Sequence, residues 1–319
     1  LLVGTSSTGT LSTATGNIGV GQTVFAALTS GDNNVAVGRD SLKCNTTGTE
    51  NTAVGNQALC GNITGNYNTA VGSFALLDVD SGADNNTAVG RSSMITLSTG
   101  DGNTAVGAQS LRSATTSSDN TAVGLCSLYT NTTGTRNVAV GKSAFLSSTT
   151  ASDSVMIGFT AGDAITTGTS NTGVGSDVMT ATTTGNQNIA MGGSTLGSNT
   201  TGSCNTAVGF QSMLANTTSD NNTAFGYKAL FTQVADGARN TAIGLCALHG
   251  NTSGDDNVAV GYGAGDSNTT GSSNISVGSG ALDANSTGSH NVAIGNLALN
   301  DNTTANSNVA IGTESLDVN

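Results

Sequence analysis

The stretch Asn-Thr-Ala-Val-Gly-Asn-Gln-Ala-Leu at residues 51–59 recurs, with small changes, along the whole 319-residue chain. Its glycine returns every seventeen residues, and the interval lengthens to eighteen only between Gly72 and Gly90 and between Gly226 and Gly244. A fixed period of this length is the signature of a solenoid, in which each repeat forms one coil. The sequence therefore predicts an all-β parallel β-solenoid of about eighteen seventeen-residue coils, forming one continuous domain over residues 1–319.

The repeat, numbered from its first Asn, begins with a strand that has two contrasting faces. From residue 17 onward, position two is Thr, Val or Ile, position three is mostly Ala, position four is apolar and position five is Gly. Because side chains alternate across a strand, positions two and four share one face, and positions three and five share the other. We expect the face of Thr52 and Val54 to pack inside the coil against Leu59. The small face, with Ala53 and Gly55, would then let another backbone approach closely.

The rest of the repeat predicts a second strand and a turn. Ala58 and Leu59, at positions eight and nine, form an apolar pair that predicts a second short strand. The Asn-Thr-Thr-Gly sequence at residues 45–48 is typical of a tight turn, in which Gly supplies a positive φ. The two added residues fall near 78–84 and 233–238, in the polar half, where they can bulge outward without shifting the strands. We interpret the repeat glycines as structural; they include Gly38, Gly55, Gly72, Gly90, Gly107, Gly124 and Gly141.

The apolar burial energy of one coil is small compared with the conformational entropy lost when its residues become ordered. Contact with neighbouring chains along the face of Ala and Gly would add burial. We therefore infer a homotrimer around a central axis, whose coils continue end to end into a filament beyond both ends of this sequence.

Composition excludes several classes of protein. The chain has 45 Gly and no Pro, and only 9% of its residues are charged, against about 25% in an average domain. Collagen, coiled coil and disorder are each inconsistent with this composition and with the ordered Val, Ile and Thr. A formal charge of −12 opposes nucleic acid and anionic membranes as partners. No apolar run is long enough for membrane insertion.

No arrangement of residues indicates catalysis, a cofactor or a metal site. His249 and His290 are the only histidines and occupy different parts of the repeat, so we expect surface residues without a role. Phe159, Phe210, Tyr227 and Tyr262 share position six, directly after the strand Gly, and the copies of Phe159 and Tyr262 also have Gly at position nine. We expect the Phe159 and Tyr262 rings to fill the volume that the missing Leu leaves, and a ligand platform is the alternative.

Asparagine, cysteine and the turns carry three further predictions. Asn opens every copy from residue 17 onward except one, where Ser154 replaces it, and stacked amides about 4.8 Å apart can form a hydrogen-bonded ladder. Cys44 and Cys60 lie one coil apart, within disulfide range, although free thiols are the alternative.

Nine Asn-x-Ser/Thr sequons occupy the turn. Either these asparagines carry sugars on an outer edge, or the sequence is simply good turn chemistry. They are Asn45, Asn62, Asn131, Asn199, Asn216, Asn251, Asn268, Asn285 and Asn302.

The repeat resembles known fibres. Residues 51–59 and the Asn-Thr-Thr-Gly turn at 131–134 are similar to the seventeen-residue repeats of tail-fibre-type proteins from phages, large viruses and environmental bacteria. Ser-Val-Met-Ile-Gly at 154–158 and Asn-Val-Ala-Ile-Gly at 291–295 more distantly resemble the head repeats of trimeric autotransporter adhesins. This resemblance implies a parallel β-roll in which three chains coil side by side.

These observations lead to two expected functions. The first is a structural fibre or shaft, viral or cell-surface, forming a rod of roughly 85–90 Å that presents an attachment module. The alternative is an adhesin or extracellular matrix filament that binds carbohydrate or cells through its stacked edges. Both place the chain outside the cell, on a virion or cell surface, with a carbohydrate or receptor as partner. Ice binding is disfavoured because the strand Thr would share its face with buried Val.

Overall fold

The computed structural model describes residues 2–3, 13–79, 82–234 and 237–317, and the chain divides into two compact units, Leu1–Ser154 and Val155–Asn319. In both units each coil contributes one short strand, followed by turns and bends, and the described residues contain no helix. Within each unit, consecutive strands pair in parallel. The predicted all-β parallel β-solenoid is therefore confirmed. A single domain over 1–319 stays a prediction.

The strands return once per coil. The first unit contains β1 Leu2–Val3, β2 Ile18–Val20, β3 Val35–Val37, β4 Thr52–Val54, β5 Thr69–Val71, β6 Thr87–Val89, β7 Thr104–Val106, β8 Thr121–Val123 and β9 Val138–Val140. The second contains β10 Val155–Ile157, β11 Thr172–Val174, β12 Ile189–Met191, β13 Thr206–Val208, β14 Thr223–Phe225, β15 Thr241–Ile243, β16 Val258–Val260, β17 Ile275–Val277, β18 Val292–Ile294 and β19 Val309–Ile311.

Equivalent repeat positions stack directly on one another. Ala53 of β4 pairs with Ala70 of β5, and the flanking residues pair in the same register. The register also holds across the longer intervals, since Thr69 pairs with Thr87 and Thr223 with Thr241. The prediction that the added residues leave the strands in register is confirmed. Residues 80–81 and 235–236 of those segments lie outside the described residues.

The inward face of the strand is the opposite of the one predicted. Ala53 is fully buried, whereas Thr52 and Val54 on either side of it are partly exposed. The same pattern holds in every strand of three residues, with the middle residue buried. Leu59 points inward as predicted, but it packs in the same interior as the alanine column. The branched residues therefore form the outside of the coil.

Limited interior volume accounts for this reversal. In the coil that carries Met156 at position three, position nine is Gly162, and a Cβ added there would lie 2.7 Å from the Met156 Sδ. A large residue at position three thus occupies the space that Leu takes elsewhere. Where position nine is Leu, only a small residue fits opposite it, and the β-branched residues are excluded from the interior.

The second predicted strand is absent from the described coils. Residues 56–61 form turns, and Gln57 and Leu59 have left-handed φ values of 56° and 53°. Their amides hydrogen-bond in opposite directions. The Gln57 N–H donates to the Arg39 carbonyl of the preceding coil at 2.9 Å, and the Leu59 N–H donates to the Ala75 carbonyl of the following coil at 3.0 Å. This segment therefore connects the coils without extended backbone.

The repeat glycines allow the close approach that was predicted, but to the next coil of the same chain. Gly124 has a φ of +134°, and a Cβ added to it would lie 2.4 Å from the Gly141 carbonyl oxygen. The positive φ and the short distance each disfavour any residue with a side chain at this position. The predicted contact of this face with a neighbouring chain is therefore wrong. The φ value lies between 125° and 140° at Gly38, Gly55, Gly72, Gly90, Gly107, Gly124 and Gly141.

Candidate functional site

A ladder of asparagine amides runs through the interior at position one. The Asn51 Nδ2 donates to the Asn34 Oδ1 of the preceding coil at 3.1 Å and to the Gly65 carbonyl at 2.8 Å. The backbone N–H of Asn51 donates to the same Asn34 oxygen at 2.9 Å. Asn68 repeats the contact one coil further on, through its backbone N–H. The predicted ladder is confirmed, and it satisfies polar backbone groups inside the coil.

Eight of the nine sequon asparagines form short interior ladders at position twelve, and Asn131 stands alone between Ala114 and Ser148. The Asn62 Nδ2 donates to the Asn45 Oδ1 at 3.1 Å and to the Gly65 carbonyl at 3.1 Å. All nine side chains are buried, with exposures of 0–2%. The expectation that they lie on an outer edge is wrong, because the amide closes the turn from inside. In the folded coil the amide nitrogen has no room for a sugar. These residues are Asn45, Asn62, Asn131, Asn199, Asn216, Asn251, Asn268, Asn285 and Asn302.

These ladders are interrupted where another residue takes position twelve. In the next coil, Asn62 is replaced at this position by Val79, Asn131 by Ser148 and Asn216 by Gln233. The side-chain oxygen of each of these three asparagines is buried without a hydrogen-bond partner. An unpaired buried acceptor costs about 1–3 kcal/mol. Interruptions of these ladders are therefore local weak points of the interior.

The cysteines are free thiols. The Cys44 N–H donates to the Cys60 carbonyl at 3.1 Å, so the two residues are neighbours in adjacent coils, but no disulfide joins them. Burial raises the pKa of the Cys60 thiol to about 11, and the charge of the nearby Cys44 contributes to the same increase. A thiol with this pKa is almost fully protonated at neutral pH and exchanges slowly with disulfides. Cys126, Cys204 and Cys246 are also free.

The two histidines occupy separate surroundings. The His249 ring stacks on Phe231 with centroids 5.1 Å apart, and its Nδ1 lies 3.6 Å from the Asp266 Oδ1. His290 is exposed. Within the described part of the chain, no three His, Cys, Asp or Glu side chains are grouped so as to hold a metal ion.

The aromatic residues do not fill the interior at the missing leucines. Phe159 is 50% exposed and Tyr262 is 65% exposed, so that prediction is wrong. Near Gly162 the space is taken instead by Met156 and Ile165, and near Gly265 by Leu248 of the preceding coil. Compensation thus comes from inward residues at positions three, nine and twelve, because position six points outward.

The aromatic residues that share position six in the sequence form an exposed column in the second unit. Phe210, Tyr227, Leu245 and Tyr262 occupy this position in four consecutive coils of the second unit, each at least 44% exposed. The Phe210 and Tyr227 rings stack with centroids 6.0 Å apart. Most other copies have a small or polar residue at position six, so the sequence shows the column but not that it points outward.

The outer strand face, defined as positions two and four of all copies from residue 17 onward, is an exposed and mainly apolar surface. Val71 is 37% exposed and Phe225 is 57% exposed, and no position of this face carries a charged residue. The argument against ice binding is also wrong, because Thr faces outward. Position four nevertheless supplies Val, Ile, Met or Phe, so the face is not a ladder of Thr alone.

Comparison with family models and with characterised proteins finds no match to this chain. Among the described residues, no helix has the length and apolarity needed to span a membrane.

Proposed function

We propose that this chain is a segment of a structural fibre or shaft that displays an attachment module on a virion or cell surface. The observation that supports this proposal is the in-register repetition of one coil, with an amide ladder and an alanine column continuing from coil to coil within each unit. Such an interior has no natural limit in the number of coils. The proposal assigns the chain no catalytic role and no cofactor, and places it outside the cell.

Self-association through the outer strand face is part of this proposal. The side chains of this face range from partly exposed, as at Thr121 and Val123, to 57% exposed at Phe225. A continuous apolar face of this kind is typical of a surface that contacts another protein chain. Three chains meeting along this face would form a homotrimer. The alanine column is not available for that contact, because it lies inside the coil.

Light scattering and electron microscopy test the proposal. We expect a solution mass about three times 31.1 kDa and thin rods. Substituting Val106→Lys and Val123→Lys together should give a monomer with unchanged circular dichroism, because both side chains are on the outer face and the coil interior is untouched. A monomeric wild-type mass would disprove the trimer, and compact particles would disprove the fibre.

An adhesin or extracellular matrix filament is the second candidate function. The exposed column of Phe210, Tyr227 and Tyr262 supports it, because aromatic rings are common in binding surfaces. A glycan array and a cell-binding assay, each with wild type and the Phe210→Ala, Tyr227→Ala double variant, distinguish the two functions. Binding that the variant loses would favour the adhesin, and no binding by wild type would favour the shaft.

A further inference from the structure

A cavity of about 260 Å³ opens on the second unit beside Tyr262. It exists because position seven, which carries a side chain in most copies, is glycine in two successive coils, at Gly263 and Gly280. The wall consists of Tyr262, Leu297 and two carboxylates, Asp266 and Asp283, which occupy position ten of adjacent coils. Its volume is slightly below that of pockets for drug-sized ligands, so it suits a small molecule or one side chain.

The two carboxylates make the cavity strongly negative. Burial raises the pKa of Asp266, although the nearby His249 lowers it, and burial together with the charge of Asp266 raises the pKa of Asp283. The Asp266 Oδ1 is buried without a hydrogen-bond partner. No Lys or Arg of the described residues forms an ion pair with either carboxylate. Both groups therefore lack a full counter-charge.

We propose that this cavity binds a small organic cation, an ammonium or guanidinium group on a short apolar stem. The cationic head lies against Asp266 and Asp283, while the stem contacts Leu297 and the Tyr262 ring. An aromatic face next to a carboxylate pair attracts such a cation both through the ring quadrupole and through charge. This inference is independent of the fibre proposal.

An inorganic divalent cation fits the cavity less well. Calcium takes six to eight oxygen ligands, whereas the cavity offers two carboxylates, the Ser279 hydroxyl and the Tyr262 hydroxyl as side-chain oxygens. The exposed ring and Leu297 contribute no ligand to a metal, but they bury the stem of an organic cation. The apolar part of the wall is thus what selects the ligand class.

Calorimetric titration of the full chain with n-butylammonium tests the proposal. Asp283→Asn removes one carboxylate from the cavity, and we expect it to weaken binding by about tenfold, equivalent to about 1.4 kcal/mol. Gly263→Gln fills the cavity from within. An added Cβ meets nothing within 4 Å, and Gln57, Gln109 and Gln211 hold the same repeat position with φ values of 56–59° against +59° at Gly263. This variant should fold normally and lose binding.

Control experiments distinguish binding in the cavity from non-specific attraction of a cation to the acidic chain. Asp301→Asn removes the same charge from an exposed site in the same unit and should bind like wild type. Neutral n-butanol should not bind, and calcium should not displace n-butylammonium. Equal weakening by Asp301→Asn, equal binding of n-butanol, displacement by calcium or no binding by wild type would each overturn the proposal. A lysine-containing tripeptide, titrated in parallel, shows whether a protein side chain can supply the cation.

Discussion

The inner and outer faces of one three-residue strand differ as much as a core and a surface. Ala122 is fully buried, whereas Thr121 and Val123 on either side of it are partly exposed. By hydrophobicity alone the larger Val belongs inside. The difference shows that available volume, and not hydrophobicity, decides which face of this strand points inward.

A comparison of two coils supports the same conclusion. The coil at residues 51–67 has Ala53, Leu59 and Asn62 inside, and the copy that begins at Ser154 has Met156, Gly162 and Ile165 at the same positions. A large residue at position three accompanies a missing side chain at position nine. In this coil the residues at positions three, nine and twelve therefore share one interior volume.

The strongest test of the comparison places the same charge on the two faces. Ala122→Asp would put a carboxylate into a fully buried position, and we expect a loss of more than about 4 kcal/mol or local unfolding. Thr121→Asp puts it one residue away on the outer face, where water solvates it, and should change folding stability far less. Urea unfolding monitored by circular dichroism measures both. Similar losses would show that the faces are not distinct.

A second test uses two glycines. Gly124→Val should destabilise by several kcal/mol, because φ is +134° and the new Cβ would lie 2.4 Å from the Gly141 oxygen. Gly263→Ala is the matched control, since its Cβ meets nothing within 4 Å and its φ of +59° is shared by residues with side chains. We expect a smaller loss there, about 1–2 kcal/mol, from the left-handed φ alone. Thermal unfolding that is unaffected in Gly124→Val would contradict the close approach between coils.

The shared interior volume predicts coupling between positions three and nine. Met156→Ala should leave a void and lose about 2–5 kcal/mol. Adding Gly162→Leu restores the residue types of the common coil, so the double variant should recover much of the loss. A double-mutant cycle by chemical denaturation gives the coupling energy. Additive effects of the two changes would show that the columns do not share their volume.

The smallest effect is expected from an ion pair on the outside. The Arg136 Nε donates to the Asp153 Oδ1 at 2.6 Å, and this hydrogen bond, with the Arg136 charge, lowers the pKa of Asp153. A lowered folded-state pKa stabilises the protein above the unfolded-state pKa, and this contribution disappears as the pH falls through the folded-state pKa. Wild type should therefore exceed Asp153→Asn slightly in melting temperature at neutral pH and lose that advantage in acid. A difference that grows in acid would contradict the sign.

The sequence located several features because they depend only on spacing along the chain. The seventeen-residue period predicted the parallel register, and the recurrence of Asn predicted the ladder at position one. It did not reveal that the sequon asparagines, such as Asn62, point inward. A turn sequence is compatible with either direction, and the choice depends on which amides need partners inside the coil. The sequence also did not show that the second strand is absent. Gln57 and Leu59 adopt left-handed φ values, which their residue types do not normally favour.

The sequence by itself determined the fold class, the register and the glycine column, since each follows from a period that every copy repeats. Only the tertiary structure decided which face of the strand is inside and where the cavity beside Tyr262 opens. The physical reason is that the alternation of side chains gives a strand two faces but does not determine which of them is buried. That choice depends on how much space the side chains of positions nine and twelve, such as Leu59 and Asn62, leave within the same coil.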